Sequence, residues 1–258
     1  MPLHWVPEGG EVLIQGASRG IGLECVHQCL AEPHIGRVWA SCRHPQGAEA
    51  LQALARESGG RLHLLTLDVT DELTVSDAAE QVRAAEGQLH LVLNAAGLLH
   101  DPERRIHPEK RIEEVTPEGL DALFRVNAAG PLVVARHFLP LFSHGDPAVF
   151  AAISARVGSI GDNRKGGWYA YRGSKAALNQ FLHTLAVELA RRAPAVTCAA
   201  LHPGTTDTEM STPFRAWVPE GQLFSPERTV RQLLGVIDGL SPADSGGFFA
   251  WDGQRIPW

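Results

Sequence analysis

Seven short, uninterrupted apolar runs, separated by longer stretches with helical spacing, leave this chain few ways to fold. They are Glu11–Gln15, Arg37–Ser41, Leu62–Leu67, Leu89–Asn94, Ala148–Ser154, Val196–Leu201 and Gly247–Trp251. A strand with one wet face alternates apolar and polar residues, whereas a strand covered on both faces reads as a continuous apolar run. The pattern therefore predicts an α/β fold: a mainly parallel, seven-stranded sheet with helices on both faces. Helices are expected over Gly20–Leu30, after Thr70, after Thr116, after Ser225 with Pro226 in the first turn, and over Tyr169–Arg192, stopping before Pro194. With 258 residues the chain suits one domain, 1–258. Regular β-α alternation at this length also suits an eight-stranded barrel, so the loops must separate the two architectures.

Composition narrows the function. The 23 Lys and Arg stand against 29 Asp and Glu, a net charge of -6, without a basic cluster, so nucleic acid is not an expected partner. No apolar run approaches the ~20 residues that cross a bilayer, and MPLHWVPEGG lacks a leader pattern, so a soluble, cytoplasmic protein with no membrane partner is expected. Cys25, Cys29, Cys42 and Cys198 show no CxxC spacing and read as small reduced hydrophobes. The 12 histidines show no HExxH spacing, so no metal site is expected. The Arg- and Glu-rich stretch Pro102–Glu114 reads as a polar loop.

QGASRGIG follows the first strand and opens the first helix, setting Gly16, Ser18, Arg19, Gly20, Ile21 and Gly22 at a helix N-terminus. Free N–H groups and the helix dipole favour an anion there, and glycines let a pyrophosphate approach the backbone. An acidic residue at the end of the second strand would bind a ribose hydroxyl; the residues there are Ala40, Ser41, Cys42, Arg43 and His44. Arg43 and Arg19 suit a 2′-phosphate, which points to NADP(H) over NAD(H), the alternative being two ordinary surface arginines. Asp68 and Val69 end the third strand, where an adenine would lie. Asn94, Ala95, Ala96 and Gly97 end the fourth, with small side chains where backbone must approach a cofactor.

Tyr171 and Lys175 are one helical turn apart in YRGSK, on one face of the longest helix. An ammonium beside a phenol stabilises its phenolate and makes it a usable proton carrier near neutral pH. Tyr169 has Gly173 at the same offset and lacks that partner.

Taken together, GASRGIG, LDV at 67–69, NAAG at 94–97, Val126–Asn127, the Ser-bearing end of the fifth strand, YxxxK and HPGTTDT at 202–208 resemble the short-chain dehydrogenase/reductase family of single-domain type. SARVGSIGDNRKGGWYAYRGSKAALN resembles its C-factor-like and small carbonyl reductase branch. The resemblance implies a Rossmann-type doubly wound fold and reversible reduction of a ketone or aldehyde to an alcohol. It implies Tyr171 as general acid and base, Lys175 on the nicotinamide ribose, and Asn127 holding a water in a proton relay. Thr206 and Thr208, after Pro203 and Gly204 of the same cofactor-binding stretch, would hold the carboxamide and fix which ring face delivers hydride. The family ends its fifth strand with two serines, the second polarising the carbonyl; here the pair is Ser154 and Ala155. Ser154 is the expected polariser and Ser159 the alternative. Gln15 replaces the usual threonine before the glycine loop, and Ala95 replaces a second asparagine.

Expected partners are a small carbonyl or alcohol substrate and further copies of the chain in a homodimer or homotetramer. Lids are expected at 98–112 and 209–223, the latter carrying Met210, Phe214 and Trp217, and Trp258 covers either the pocket or a partner subunit. A cofactor-binding signalling protein of C-factor type, with little or no turnover, is the competing reading.

Overall fold

The computed structural model describes residues 3–258. Its sheet contains β1 (Gly10–Gln15), β2 (Ile35–Cys42), β3 (Leu62–Thr66), β4 (Leu89–Asn94), β5 (Ala148–Ile153), β6 (Val196–His202) and β7 (Gly247–Ala250). They lie in the order β3-β2-β1-β4-β5-β6-β7, and every neighbouring pair is parallel. The sheet is open, so the barrel alternative falls. Strand order reverses between β1 and β4, and at such a switch point the carboxyl ends of the strands splay into a ligand crevice.

Side chains that alternate along the strands feed two cores. Leu13, Val92, Phe150 and Cys198 face one layer with α3 (Glu72–Ala84), α5 (Gly130–Phe138) and α6 (Tyr169–Arg192). Val12, Ile14, Leu91, Leu93 and Ala199 face the other, with α1 (Gly20–Leu30), α2 (Glu49–Glu57) and α7 (Pro226–Asp238). Both faces are dry, which is why the sequence runs lack alternation. Fully buried aromatics such as Phe138 and Phe150 anchor the first layer; truncating one to alanine costs about 3–5 kcal/mol. All four cysteines are buried and unpaired.

Three details depart from the sequence reading. The helix expected after Thr70 is capped by Asp71, whose carboxylate accepts from Leu73 N, while the Thr70 hydroxyl donates to Asp68 at 2.7 Å. Thr205–Thr206 and Leu223–Phe224 pair as a two-residue parallel ribbon outside the main sheet. Between α4 (Pro117–Phe124) and α5 the chain makes a π-helical turn, Arg125–Ala129, which carries Asn127.

Candidate active site

The glycine loop is shaped by close approach. Gly16 has a φ of +83°, and a Cβ there would stand 2.5 Å from Ala96 N, so the β1 and β4 ends touch backbone to backbone. A Cβ on Gly22 would meet Gly16 O at 2.1 Å, which fixes how tightly α1 turns out of β1. The Gln15 side chain accepts from Ala96 N at 3.3 Å, tying the same two strand ends together; this is what the unusual residue before the loop does. At the start of α1, Arg19 makes no side-chain cap and the first turn has no acidic residue. An uncapped N-terminus above a glycine cradle fits a pyrophosphate on both geometry and charge.

Lys175 is 3% exposed, and its Nζ donates to Ile153 O at 2.8 Å and lies 5.8 Å from the centre of the Tyr171 ring. Burial lowers the Lys175 pKa to about 7. Burial likewise raises that of Tyr171. In this state neither group favours its charged form. A point one bond beyond Gly97 lies 3.5 Å from Asn127 Oδ1, 3.9 Å from Lys175 Nζ and 3.4 Å from Met210 Cε, so β4, the π-turn, α6 and the second lid converge there. The Asn127 side chain is bound on both sides to Leu98, accepting from its N and donating to its O, each at 2.7 Å, and it also donates to Ser174 Oγ at 3.0 Å. Asn127 thus fixes the first lid's root to α6.

Neither serine presents its hydroxyl openly. Ser154 is 1% exposed and donates to Asn179 Oδ1 at 2.7 Å, while Ser159 Oγ accepts from Asp162 N at 3.1 Å. Ala155 packs in the apolar cluster that contains Tyr171, with Leu99, Ile106, Trp168, Met210 and Phe214. The Trp168 ring stands edge-on to Tyr171 at 6.1 Å and 5.4 Å from Phe214.

The sequence profile of the short chain dehydrogenase family matches residues 11–219. The chain belongs to that family. An uncharacterized oxidoreductase of Schizosaccharomyces pombe is 31% identical to this dehydrogenase over 255 residues, covering 95% of this chain and 96% of the other. C-signal of Myxococcus xanthus is 40% identical over 135 residues, covering 52% of this chain and 76% of its own. The crystal structure of NADPH-bound carbonyl reductase from chicken fatty liver superposes with a TM-score of 0.85 at 31% identity, covering 96% of this chain and 98% of that one. The dehydrogenase is an NAD(P)-dependent oxidoreductase with a Rossmann-type fold that binds a nicotinamide cofactor.

The side chains of the other residues singled out in the sequence are differently engaged. Asn94 donates to Ala151 O at 3.1 Å and leaves its buried Oδ1 without a protein partner. Asp68 is held by Thr70, and Val69 is buried against Gly130. Thr206 pairs with Thr229 through their hydroxyls at 2.9 Å, and the Thr208 methyl stands 3.2 Å from the Cβ position of Gly20. Ser41 and Cys42 are buried, whereas Arg43 is exposed and makes no ion pair among the described residues. Arg19 reaches Glu209 of the second lid at 3.2 Å. Of the lid residues, Met210 and Phe214 turn inward and Trp217 is 77% exposed. Trp258 stacks on Phe248 and accepts from Gly161 N at 2.8 Å, packing beside β7 and away from the Tyr171 cluster.

Sequence reasoning missed Glu109, assigned to a polar loop. It is buried, its backbone carbonyl accepts from Trp168 N at 2.5 Å, and its carboxylate accepts from Ala170 N at 3.3 Å, capping α6 one residue before Tyr171. Trp168 itself is held at a φ of +53°. A lone glutamate in a charged run gives no local signal of that role. Asn179 was missed as well, although it lies one turn beyond Lys175 on the same face.

Proposed function

We propose that this dehydrogenase reduces a ketone or aldehyde of apolar or aromatic character with NADPH, with Tyr171 as the proton donor. The observation that carries the reading is the buried Lys175 Nζ beside Tyr171, inside an apolar wall of Trp168, Phe214, Met210 and Leu99. The bound nicotinamide supplies the hydride. Tyr171 holds its proton firmly in this dry setting and passes it to the oxygen that becomes the alcohol. The Lys175 ammonium, once charged, stabilises the phenolate left behind. Asn127 holds Leu98 and Ser174 in place, and a water between Asn127 and Lys175 would complete the proton path. Helix α1 and the glycine loop bind the pyrophosphate, and Met210 with Phe214 keeps bulk water from the reacting carbon. Exposed Phe124, Leu132 and Val187 on α4, α5 and α6 support the expected self-association.

Tyr171 is here the principal donor to the substrate oxygen. Ser154, whose hydroxyl is given to Asn179, would have to release that bond to reach the same oxygen, so in this reading its contribution as polariser is secondary. Ser154→Ala is therefore expected to lower kcat by less than tenfold. Ala155→Ser, which adds a hydroxyl within the Tyr171 cluster, is expected to raise kcat/KM about tenfold, a fraction of the 10²–10³ that an oxyanion donor commands. A loss of a hundredfold in Ser154→Ala returns the polarising role to Ser154; the same loss in Ser159→Ala assigns it there.

The NADPH preference is argued from two cations, Arg43 just after β2 and Arg19 in the glycine loop. Arg43 is free of carboxylates, and the Arg19–Glu209 contact is exposed and weak enough for a 2′-phosphate to displace. Arg43→Asp is expected to shift the NADPH-to-NADH ratio of kcat/KM at least tenfold toward NADH; equal ratios for wild type and variant refute the assignment. The likeness to C-signal favours one other reading, a cofactor-binding regulator. Tight NADPH binding with no turnover across a panel of aromatic and aliphatic carbonyls selects the regulator.

A further inference from the structure

His90 is the second residue of β4, and His144 and Asp146 lie in the turn that leads into β5. Parallel pairing of β4 with β5 brings these three residues together at the amino end of the sheet, the end opposite the crevice. The two imidazoles stack with centroids 4.4 Å apart. His90 Nε2 and His144 Nδ1 lie 3.9 Å and 3.7 Å from the same oxygen, Asp146 Oδ2. One ligand atom from each residue falls within 4.8 Å of the others.

Two features give the cluster more than proximity. His90 is 4% exposed, and its Nε2 is buried without a hydrogen-bond partner while aimed at the cluster. A buried polar nitrogen left unpaired is rare enough to need an explanation. His144 Nε2 donates to Leu89 O at 2.9 Å, which sets its ring proton there and leaves the Nδ1 lone pair facing His90 and Asp146. A ring N–H held by a backbone carbonyl is the orienting arrangement of metal-bound histidines.

We infer that His90, His144 and Asp146 form a binding site for a divalent transition-metal ion, zinc foremost. Two imidazoles and one carboxylate suit zinc better than the hard cations magnesium and calcium. With bonds of ~2.0–2.1 Å, a tetrahedral ion sets its ligands roughly 3.3 Å apart. Each histidine-to-Asp146 separation must therefore contract by about half an ångström, and the two stacked rings, whose ligand nitrogens lie within 4.8 Å, must also turn toward a common point. Asp146 adjusts most freely, because its side chain is 59% exposed and follows Gly145, which has a φ of +85°. Ligation replaces two long contacts, Asp146 N–H to His144 Nδ1 at 3.2 Å and Glu11 N–H to His90 Nδ1 at 3.3 Å. Ligation through Nε2 moves the His90 proton to Nδ1, which then no longer accepts from Glu11 N–H. The Glu11 carboxylate is occupied by Trp39 and Arg37 and does not join. The fourth position faces solvent on the Asp146 side, and the bound ion fastens the turn before β5 to the edge of β4. The site is independent of the reductase reading.

Chelator-treated, full-length protein titrated with zinc by calorimetry tests it. One equivalent is expected, together with a rise in Tm of roughly 5 °C at free zinc about 100 times Kd and no response to magnesium. Cobalt in place of zinc is expected to give the visible absorption of a tetrahedral nitrogen and oxygen site. His144→Gln and Asp146→Asn are each expected to weaken binding at least tenfold. Asp146→Asn keeps the test open should the histidine variant fold poorly, because its side chain is exposed. If Asp146→Asn keeps both the wild-type zinc affinity and the cobalt spectrum, or if His144→Gln folds and still binds one equivalent as tightly, the ion sits on other histidines and the inference is overturned.

Discussion

Replacing Tyr171 with Phe is expected to lower kcat about 10³-fold while leaving NADPH affinity and thermal stability close to wild type. The ring fills its place in the cluster with Trp168, Leu99 and Ile106, and the substitution keeps it. The hydroxyl makes no hydrogen bond with any described residue, so its removal strands no buried partner and the fold loses little. What disappears is the hydroxyl proposed to give the substrate oxygen its proton. Positioned general acids contribute 10²–10⁴-fold, and burial raises the Tyr171 pKa, so at neutral pH the residue enters each cycle protonated. The measurement is kcat for an aromatic ketone, beside fluorescence titration of NADPH and a melting curve. Retention of more than a tenth of kcat means that the proton comes from another group.

The fold was legible because its signal is local. Continuous apolar runs announce strands buried on both faces, and Gly20–Leu30 and Tyr169–Arg192 begin and end where spacing, glycine and proline set them. Thr70 and Asp71 both have capping side chains, and a local turn decides between them: the Thr70 N–H and hydroxyl are drawn back to Asp68, which leaves Asp71 to cap. The ribbon of Thr205–Thr206 with Leu223–Phe224 left no trace because two-residue strands have no period to detect.

The candidate site was legible where chemistry follows spacing within one element, as for Tyr171 with Lys175 or the glycines after β1. It was hidden where the partner arrives through the fold. Nothing near Ser154 in the chain says that Asn179 accepts its proton, and nothing near Glu109 says that it caps α6. The expectation that the histidines build no metal site rested on spacing motifs within one helix. His90 and His144 meet only because β4 and β5 pair, and such a pair has no spacing rule.

Lys175→Met is expected to abolish most turnover, about 10²–10⁴-fold, and at the same time to stabilise the cofactor-free protein by about 1–3 kcal/mol at pH 7. Burial brings the Lys175 pKa from 10.5 down to about 7, so the native state resists the proton that the unfolded chain accepts. Between pH 7 and 10.5 the unfolded chain therefore holds more protons than the native one, and stability rises with pH through that window. Below pH 7 the native state bears the full penalty of a buried ammonium, offset in part by its bond to Ile153 O. Above pH 10 Tyr171 acts in the opposite sense, since the native phenol keeps a proton that the unfolded one loses, and stability falls again. Methionine fills the same volume without charge, so it removes the rise above pH 7 along with the catalytic ammonium. Urea midpoints at pH 6, 7 and 9 for both proteins measure this. A variant less stable than wild type at pH 7, or one that keeps the wild-type slope between pH 7 and 9, shows that the lysine is not held against its charge. A gain in stability coupled to lost turnover marks Lys175 as a residue kept for chemistry at the expense of the fold.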